Sequence, residues 1–137
     1  MFSQNTKFLI VDDFATMRKI IKKVLTELGY NDVTEADDGK TALPLLEQSV
    51  KEGRPFEFVI SDWNMPGMTG IDLLRSCKSH PELQNVPFML VTAESEQKNV
   101  VEAVRAGVSD YVVKPFNAVT LKAKLENVYK KTQQNAA

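Results

Sequence analysis

The chain has one cysteine, no excess of charge of either sign and no long apolar stretch. The single cysteine, Cys77, excludes a disulfide framework and a metal site built from cysteines. Lys and Arg number 17 and Asp and Glu 18, so the chain lacks the basic surface of a protein that binds nucleic acid or membranes. No apolar run approaches the ~20 residues of a membrane span, and the N-terminal residues lack the apolar stretch of a signal peptide. We therefore expect a cytoplasmic protein with no nucleic-acid partner and no membrane insertion.

The length of 137 residues fits a single domain over residues 1–137, and the hydrophobic content of 43% is typical of a folded core. Short apolar runs alternate with amphipathic patterns of helical spacing. The expected strands are residues 8–11, 33–36, 58–61, 88–91 and 111–113. The expected helices are residues 17–28, 40–50, 71–78, 96–106 and 119–129, followed by a frayed tail at 132–137. Strict alternation of this kind predicts a parallel sheet covered by helices on both faces.

Several residues predict how these elements begin and end. Asp13 or Thr16 is placed to cap the first helix, and Gly29 to end it. Pro44 falls inside the second helix, where it removes a backbone hydrogen bond unless it lies in the first turn. Residues 51–55, with a glycine and a proline, predict an exposed loop.

Polar side chains follow four of the five predicted strands. Asp12 and Asp13 follow the first strand, Asp62 the third, Thr92 the fourth and Lys114 the fifth. In an open parallel sheet the carboxyl ends of the strands lie side by side, and ligands bind there. We therefore expect these five residues to meet in one pocket.

Three carboxylates in one pocket repel each other, by roughly 4 kcal/mol for a pair ~4 Å apart at an effective dielectric near 20. A hard divalent ion relieves that repulsion, and Mg²⁺ suits one or two carboxylates plus phosphate oxygens. Together with Lys114 and a hydroxyl, this set suits phosphoryl transfer, with Asp62 as the nucleophile and Asp12 and Asp13 at the metal. The alternative is that Asp12 and Asp13 only cap the first helix.

These residues also carry a family resemblance. The segments VDD at 11–13, SDWNMP at 61–66, VTAE at 91–94 and YVVKPF at 111–116 resemble the receiver domains of bacterial response regulators. The segment FATMR at 14–18 points to the stand-alone receivers of chemotaxis systems, and the similarity covers about residues 7–130. It implies a doubly wound, flavodoxin-like α/β fold with five parallel strands in the order 2-1-3-4-5 and five helices.

The resemblance implies a site and a reaction. Asp62 would accept a phosphoryl group from a phosphohistidine of a chemotaxis-type histidine kinase. Mg²⁺ would be held by Asp13, Asp62 and the backbone carbonyl of Asn64, with Asp12 reaching it through water. Thr92 and Lys114 would contact the phosphoryl oxygens, and the Lys114–Pro115 bond would be cis.

The resemblance also implies an output. Tyr111 would act with Thr92 as a switch, and the face of helix four, strand five and helix five would bind a partner, expected to be the flagellar motor switch. Asn64 and Glu94 would tune hydrolysis, often by a separate phosphatase. The alternative is a phosphate-sink relative that does not bind the motor. Val104 and Asp110 depart from the usual pattern on this face, which leaves the identity of the output partner open. We expect a monomer.

Other classes fit the residues less well. A phosphohydrolase that uses an aspartyl phosphate needs a second aspartate two residues after the nucleophile, where this chain has Asn64. A flavin or nucleotide binder needs a phosphate loop after the first strand, and a receiver that works without phosphorylation needs no complete site. We therefore expect a signalling protein rather than an enzyme, one that catalyses only its own phosphoryl transfer and slow dephosphorylation.

Overall fold

The structure is a computed structural model that describes residues 2–93 and 97–135. Its strands are β1 (Phe8–Val11), β2 (Val33–Ala36), β3 (Phe58–Asp62), β4 (Phe88–Thr92) and β5 (Asp110–Val113). Its helices are α1 (Ala15–Glu27), α2 (Gly39–Lys51), α3 (Gly70–Ser79), α4 (Gln97–Ala106) and α5 (Ala118–Asn135). Within the described ranges, no helix is long and apolar enough to cross a membrane.

The strands form one parallel sheet in the order β2-β1-β3-β4-β5, as predicted. Val11 of β1 is in register with Ser61 of β3, and Asp62 of β3 with Val91 of β4. The polar short strand β2 lies at one edge, as its mixed sequence suggests, and β5 lies at the other. The three central strands are fully buried, which explains their continuous apolar runs.

The alternation of side chains along each strand divides the core into two layers. Leu9 and Val11 of β1 face the layer under α2, α3 and α4, whereas Phe8 and Ile10 face the layer under α1 and α5. Both layers pack against helix residues that recur at three- and four-residue spacing, such as Ile21, Val24 and Leu25 of α1. The sheet is therefore covered on both faces, and its carboxyl edge is left for ligands.

The ends of several elements differ from the prediction. Asp62 and Thr92 are the last residues of their strands rather than the first residues beyond them, and Asp110 begins β5. α5 was expected to end at Tyr129 but continues through Asn135, because Lys and Gln favour helix although the apolar pattern has stopped. Fraying of residues 132–137 stays a prediction, and the last two residues lie outside the described chain.

The predicted cap of α1 is wrong. Phe14 occupies the N-cap position and makes no side-chain capping bond, so neither Asp13 nor Thr16 caps the helix. The Asp12 carboxylate accepts a hydrogen bond from the backbone N–H of Phe14 at 2.9 Å. The start of α1 is therefore fixed by Asp12, whose second oxygen remains directed at the carboxyl edge of the sheet.

α2 carries the two irregular features seen in the sequence. Asp38 caps it by accepting from the N–H of Thr41 at 2.8 Å. Pro44 lies beyond the first turn, where it has no N–H to donate to the carbonyl of Lys40. The predicted loop at 51–55 is present except that Lys51 still belongs to the helix, and Arg54 of this loop pairs with Asp32 at 2.8 Å.

Candidate functional site

The three predicted carboxylates meet at the carboxyl edge of β1 and β3. Asp12 follows β1 and Asp62 ends β3, and the two strands are neighbours in register. One carboxylate oxygen from each of Asp12, Asp13 and Asp62 lies within 4.8 Å of the others. Asp12 is fully buried and Asp62 is 5% exposed, while Asp13 lies nearer the surface. The sequence therefore predicted this cluster correctly.

Lys114 reaches the cluster from the loop after β5. Its Nζ donates to Oδ1 of Asp62 at 3.2 Å and lies 3.7 Å from Oδ2 of Asp12. The Lys114 N–H donates to the carbonyl of Thr92 at 2.7 Å, and the Lys114–Pro115 bond is cis, as the resemblance implied. The lysine thus neutralises part of the negative charge of the cluster, and its ammonium lies closer to Asp62 than to Asp12.

Burial and mutual repulsion disfavour the ionised carboxylates. Burial raises the pKa of Asp12 above its ordinary value. A hydrogen bond from the Phe14 N–H and the positive charge of Lys114 lower this pKa, but burial is the larger effect. Burial also raises the pKa of Asp62, and the negative charge of Asp12 raises it further. The positive charge of one lysine therefore does not fully offset the negative charge of the carboxylate cluster.

The donor set fits a magnesium ion. Among the described residues, Oδ2 of Asp12 is the one buried side-chain oxygen or nitrogen with no hydrogen-bond partner. It belongs to a group of three carboxylates, and carboxylate oxygens are the ligands that Mg²⁺ prefers in proteins. A hydrated cation at this position would supply, through one of its water molecules, the partner that the buried oxygen lacks.

The remaining predicted site residues are placed as follows. Thr92 is buried at the end of β4, one residue beyond the register partner of Asp62. Asn64 lies two residues after Asp62 in the exposed loop before α3, and its role as a carbonyl ligand stays a prediction. Glu94 lies outside the described residues. Trp63 is buried in the core beside Asp62, and its N–H donates to the carbonyl of Val91 at 2.8 Å.

The switch candidate Tyr111 is half-buried on β5, with the ammonium of Lys124 5.0 Å from its ring centroid. Lys124 also pairs with Asp110 at 3.4 Å. Asp110 also accepts a hydrogen bond from the side chain of Asn127 at 2.9 Å. The unusual aspartate on this face therefore holds α5 against β5, while Val104 of α4 stays exposed.

Two structural residues of the site escaped the sequence prediction. The backbone of Gly70 lies so close to Asp62 that a Cβ built on it would overlap the Asp62 carbonyl oxygen. Arg18 donates to the carbonyl of Asp12 at 2.7 Å. A glycine at a helix start and an arginine one turn into a helix are both common, so only knowledge of the fold reveals these contacts.

Comparison with known proteins identifies the family of the chain. The family model of the response regulator receiver domain matches residues 8–126. Chemotaxis protein CheY-3 of Vibrio cholerae is 49% identical over 131 residues, which cover 96% of this chain and 97% of that protein. Chemotaxis protein CheY of Pseudomonas aeruginosa is 51% identical over 125 residues, with 91% and 97% covered. The solved structure of CheY4 of Vibrio cholerae, 32% identical, covers 90% of this chain and 98% of its own with a TM-score of 0.79.

The chain therefore belongs to the response regulator receiver domain family. Within that family it is a CheY-like receiver, a signalling protein by its family.

Proposed function

We propose that this chain is a chemotaxis response regulator that accepts a phosphoryl group on Asp62 from the phosphohistidine of a chemotaxis-type histidine kinase. The observation that carries the proposal is the convergence of three carboxylates and one lysine at the end of β3. The curated relatives, which are chemotaxis proteins, support the same assignment. A cytoplasmic location and a monomeric state belong to this proposal as predictions.

In the proposed transfer, a carboxylate oxygen of Asp62 attacks the phosphorus atom, a P–O bond forms, and the P–N bond to the donor imidazole breaks. Lys114 already lies 3.2 Å from Oδ1 of Asp62, where it can bind a phosphoryl oxygen after transfer. Thr92, at the end of the neighbouring strand, supplies a hydroxyl on the same edge. Positioning and charge neutralisation dominate this kind of reaction, and these fixed groups contribute to both.

The residues that would hold Mg²⁺ are Asp13, Asp62 and the carbonyl of Asn64, with Asp12 acting through a water molecule. When bound, Mg²⁺ supplies positive charge that offsets the charge of the carboxylates and of the phosphoryl oxygens. Burial of Asp12 and Asp62 increases the need for a cation, because buried like charges are costly when no positive charge offsets them. Asn64, with Glu94, is proposed to set the rate of hydrolysis, alone or with a separate phosphatase.

The proposed output is a change on the surface of α4, β5 and α5, which would bind the flagellar motor switch. Exposed Val104 on α4 and exposed Val119 on α5 give this surface apolar character. The phosphate-sink alternative uses the same site without motor binding.

The proposed chemistry predicts that acetyl phosphate with Mg²⁺ adds one phosphoryl group to the protein and that Asp62→Asn removes this labelling. The label is expected to be acid-stable and base-labile, as an acyl phosphate is. Intact-protein mass spectrometry measures it. Asp72→Asn is the matched control, because Asp72 caps α3 and lies outside the carboxylate cluster. Equal labelling of wild type and Asp62→Asn would place the nucleophile elsewhere.

A further inference from the structure

The loop between β3 and α3 carries Asn64, yet few bonds fix it. In the described chain, its backbone hydrogen bonds lie at its ends: Trp63 donates to Val91, and Gly70 donates to the carbonyl of Trp63 at 2.9 Å. Thr69 forms a capping box with Asp72 at the start of α3. Between these ends, the side chain of Met65 is buried in the core. Residues 66–68 need another support.

That support comes from the start of α2, through two reciprocal contacts. A Cβ built on Gly39 would lie 2.8 Å from Cγ and 2.9 Å from Sδ of Met68, so the Met68 side chain packs directly on the glycine backbone. In the opposite direction, a Cβ built on Gly67 would lie 2.8 Å from Cε of Lys40. Each segment thus supplies one glycine and one long side chain.

The two glycines are needed for different reasons. Gly39 is buried and accepts no side chain without displacing Met68. Gly67 has a φ of +78°, which favours glycine, and the Lys40 side chain lies against its backbone. The start of α2 is itself fixed by the Asp38 cap, so it forms a firm base for the loop.

We propose that Gly39 and Met68, with Lys40 and Gly67, form a clasp that positions Asn64 for the metal and the phosphoryl group. The residues of the clasp are positioning residues, since none of them belongs to the carboxylate cluster. This inference rests on the proposed function, because it assigns Asn64 to the magnesium site. It adds a role for α2, which the reaction otherwise does not use.

The test compares Gly39→Ala, Met68→Ala and the double variant with wild type. Gly39→Ala pushes the Met68 side chain away and is expected to weaken Mg²⁺ binding on the order of tenfold, as loss of outer-shell support does. Met68→Ala releases the loop and weakens binding as well. Because Met68→Ala removes two of the three atoms nearest to a Cβ on Gly39, the effect of Gly39→Ala should shrink in that background. Mg²⁺ titration followed by Trp63 fluorescence measures each dissociation constant.

Hydrogen exchange of the amides of Trp63, Thr69 and Gly70, which donate to Val91, Asp72 and Trp63, gives a readout without metal when it is measured in EDTA. Exchange should quicken in Gly39→Ala and in Met68→Ala. Gly53→Ala is the control: Gly53 also lies near an end of α2 and has a φ of +76°, but an added Cβ meets nothing within 4 Å. It should destabilise the fold without changing either readout.

Unchanged Mg²⁺ affinity and unchanged exchange in Gly39→Ala, or full additivity in the double variant, would overturn the clasp. Absence of Mg²⁺ binding in wild type would instead overturn the proposed function, and the exchange measurement would still decide the clasp. If Gly39→Ala fails to fold, Met68→Ala decides alone: exchange equal to wild type would reject the clasp, and faster exchange would support it.

Discussion

At the scale of the residue, the fold holds close together carboxylates that repel one another. Asp12 is fully buried, has one oxygen bonded to the N–H of Phe14, and has its other oxygen without a hydrogen-bond partner. Lys114 lies 3.7 Å from that oxygen, beyond a good hydrogen bond. Such an arrangement costs stability, and stability given up at a site is typical of function.

This conflict predicts that Asp12→Asn stabilises the metal-free protein at neutral pH. The folded-state pKa values of Asp12 and Asp62 lie above the ordinary value of 3.8, so the native state binds protons that the unfolded state has released. The unfavourable contribution therefore appears as the pH rises above 3.8 and is complete above the raised pKa values. Urea unfolding in EDTA at several pH values measures the effect.

The advantage of Asp12→Asn should be present at pH 7, shrink as the pH falls toward 3.8, and decrease when Mg²⁺ is added to wild type. The control is Asp72→Asn, which removes an exposed carboxylate of the α3 capping box and should cost stability at neutral pH. Lower stability of Asp12→Asn than of wild type at pH 7 without metal would contradict this interpretation.

Residue-scale prediction from sequence succeeded where a rule of topology applied. The carboxyl-edge rule needs only strand positions, and these placed Asp12, Asp62 and Lys114 in one pocket. It failed where the answer depends on backbone approach: no pattern shows that Gly70 lies against Asp62 or that Gly39 lies against Met68. Helical spacing likewise gives a face of α5 for Lys124 but not its ion-pair partner Asp110.

At the scale of the element, apolar periodicity predicted the existence of all strands and helices and their alternation along the chain, but not their ends. α1 begins without a side-chain cap because Asp13 belongs to the carboxylate cluster and Asp12 binds the Phe14 N–H. α5 continues beyond the last residue of its apolar pattern, because helix propensity rather than burial extends it through Asn135. Ends are set by local hydrogen bonds, which the apolar pattern does not contain.

The second helix gives a prediction at this scale: Pro44→Ala should stabilise the protein by about 2 kcal/mol. Proline is about 3 kcal/mol less favourable than alanine inside a helix. Replacing it also makes the unfolded chain more flexible, which lowers the gain in stability by up to about 1 kcal/mol. Pro44 is exposed, so little packing is lost. Urea unfolding measures the gain, with Gln48→Ala on the same helix as the control near zero. A less stable Pro44→Ala would mean that Pro44 has a structural use in α2.

At the scale of the whole molecule, two adjacent strands connect the proposed phosphorylation site to the surface of α4, β5 and α5. Thr92 ends β4, and its register partner Val113 lies two residues after Tyr111 on β5. Tyr111 packs at the margin of the core layer beneath α3 and α4, with Lys124 of α5 over its ring. Under the proposed function, a shift at Thr92 would reach the surface of α4, β5 and α5 through direct neighbours.

This path predicts a coupling between phosphorylation and partner binding. Oxygens of a phosphoryl group on Asp62 attract the Thr92 hydroxyl by a charge-assisted hydrogen bond, and Tyr111 can then turn inward. A partner shifts such a two-state element only through its different affinity for the two states. By reciprocity the partner stabilises the phosphorylated form, with an expected coupling of about 1–3 kcal/mol.

The measurement is the affinity of the flagellar motor switch protein for wild type, Thr92→Ala and Tyr111→Ala, each with and without beryllofluoride as a stand-in for the phosphoryl group. Wild type should bind on the order of tenfold more tightly when activated, the ratio that corresponds to about 1.4 kcal/mol. Both variants should lose most of that ratio while Asp62 remains reactive toward acetyl phosphate.

Tyr129→Phe is the control, because Tyr129 contacts Phe2 at the opposite end of the sheet from the site and should keep the wild-type ratio. Equal ratios in all variants would mean that neither residue transmits the signal. Absence of binding in activated wild type would favour the phosphate-sink alternative, since that role needs Asp62 but no motor-binding surface.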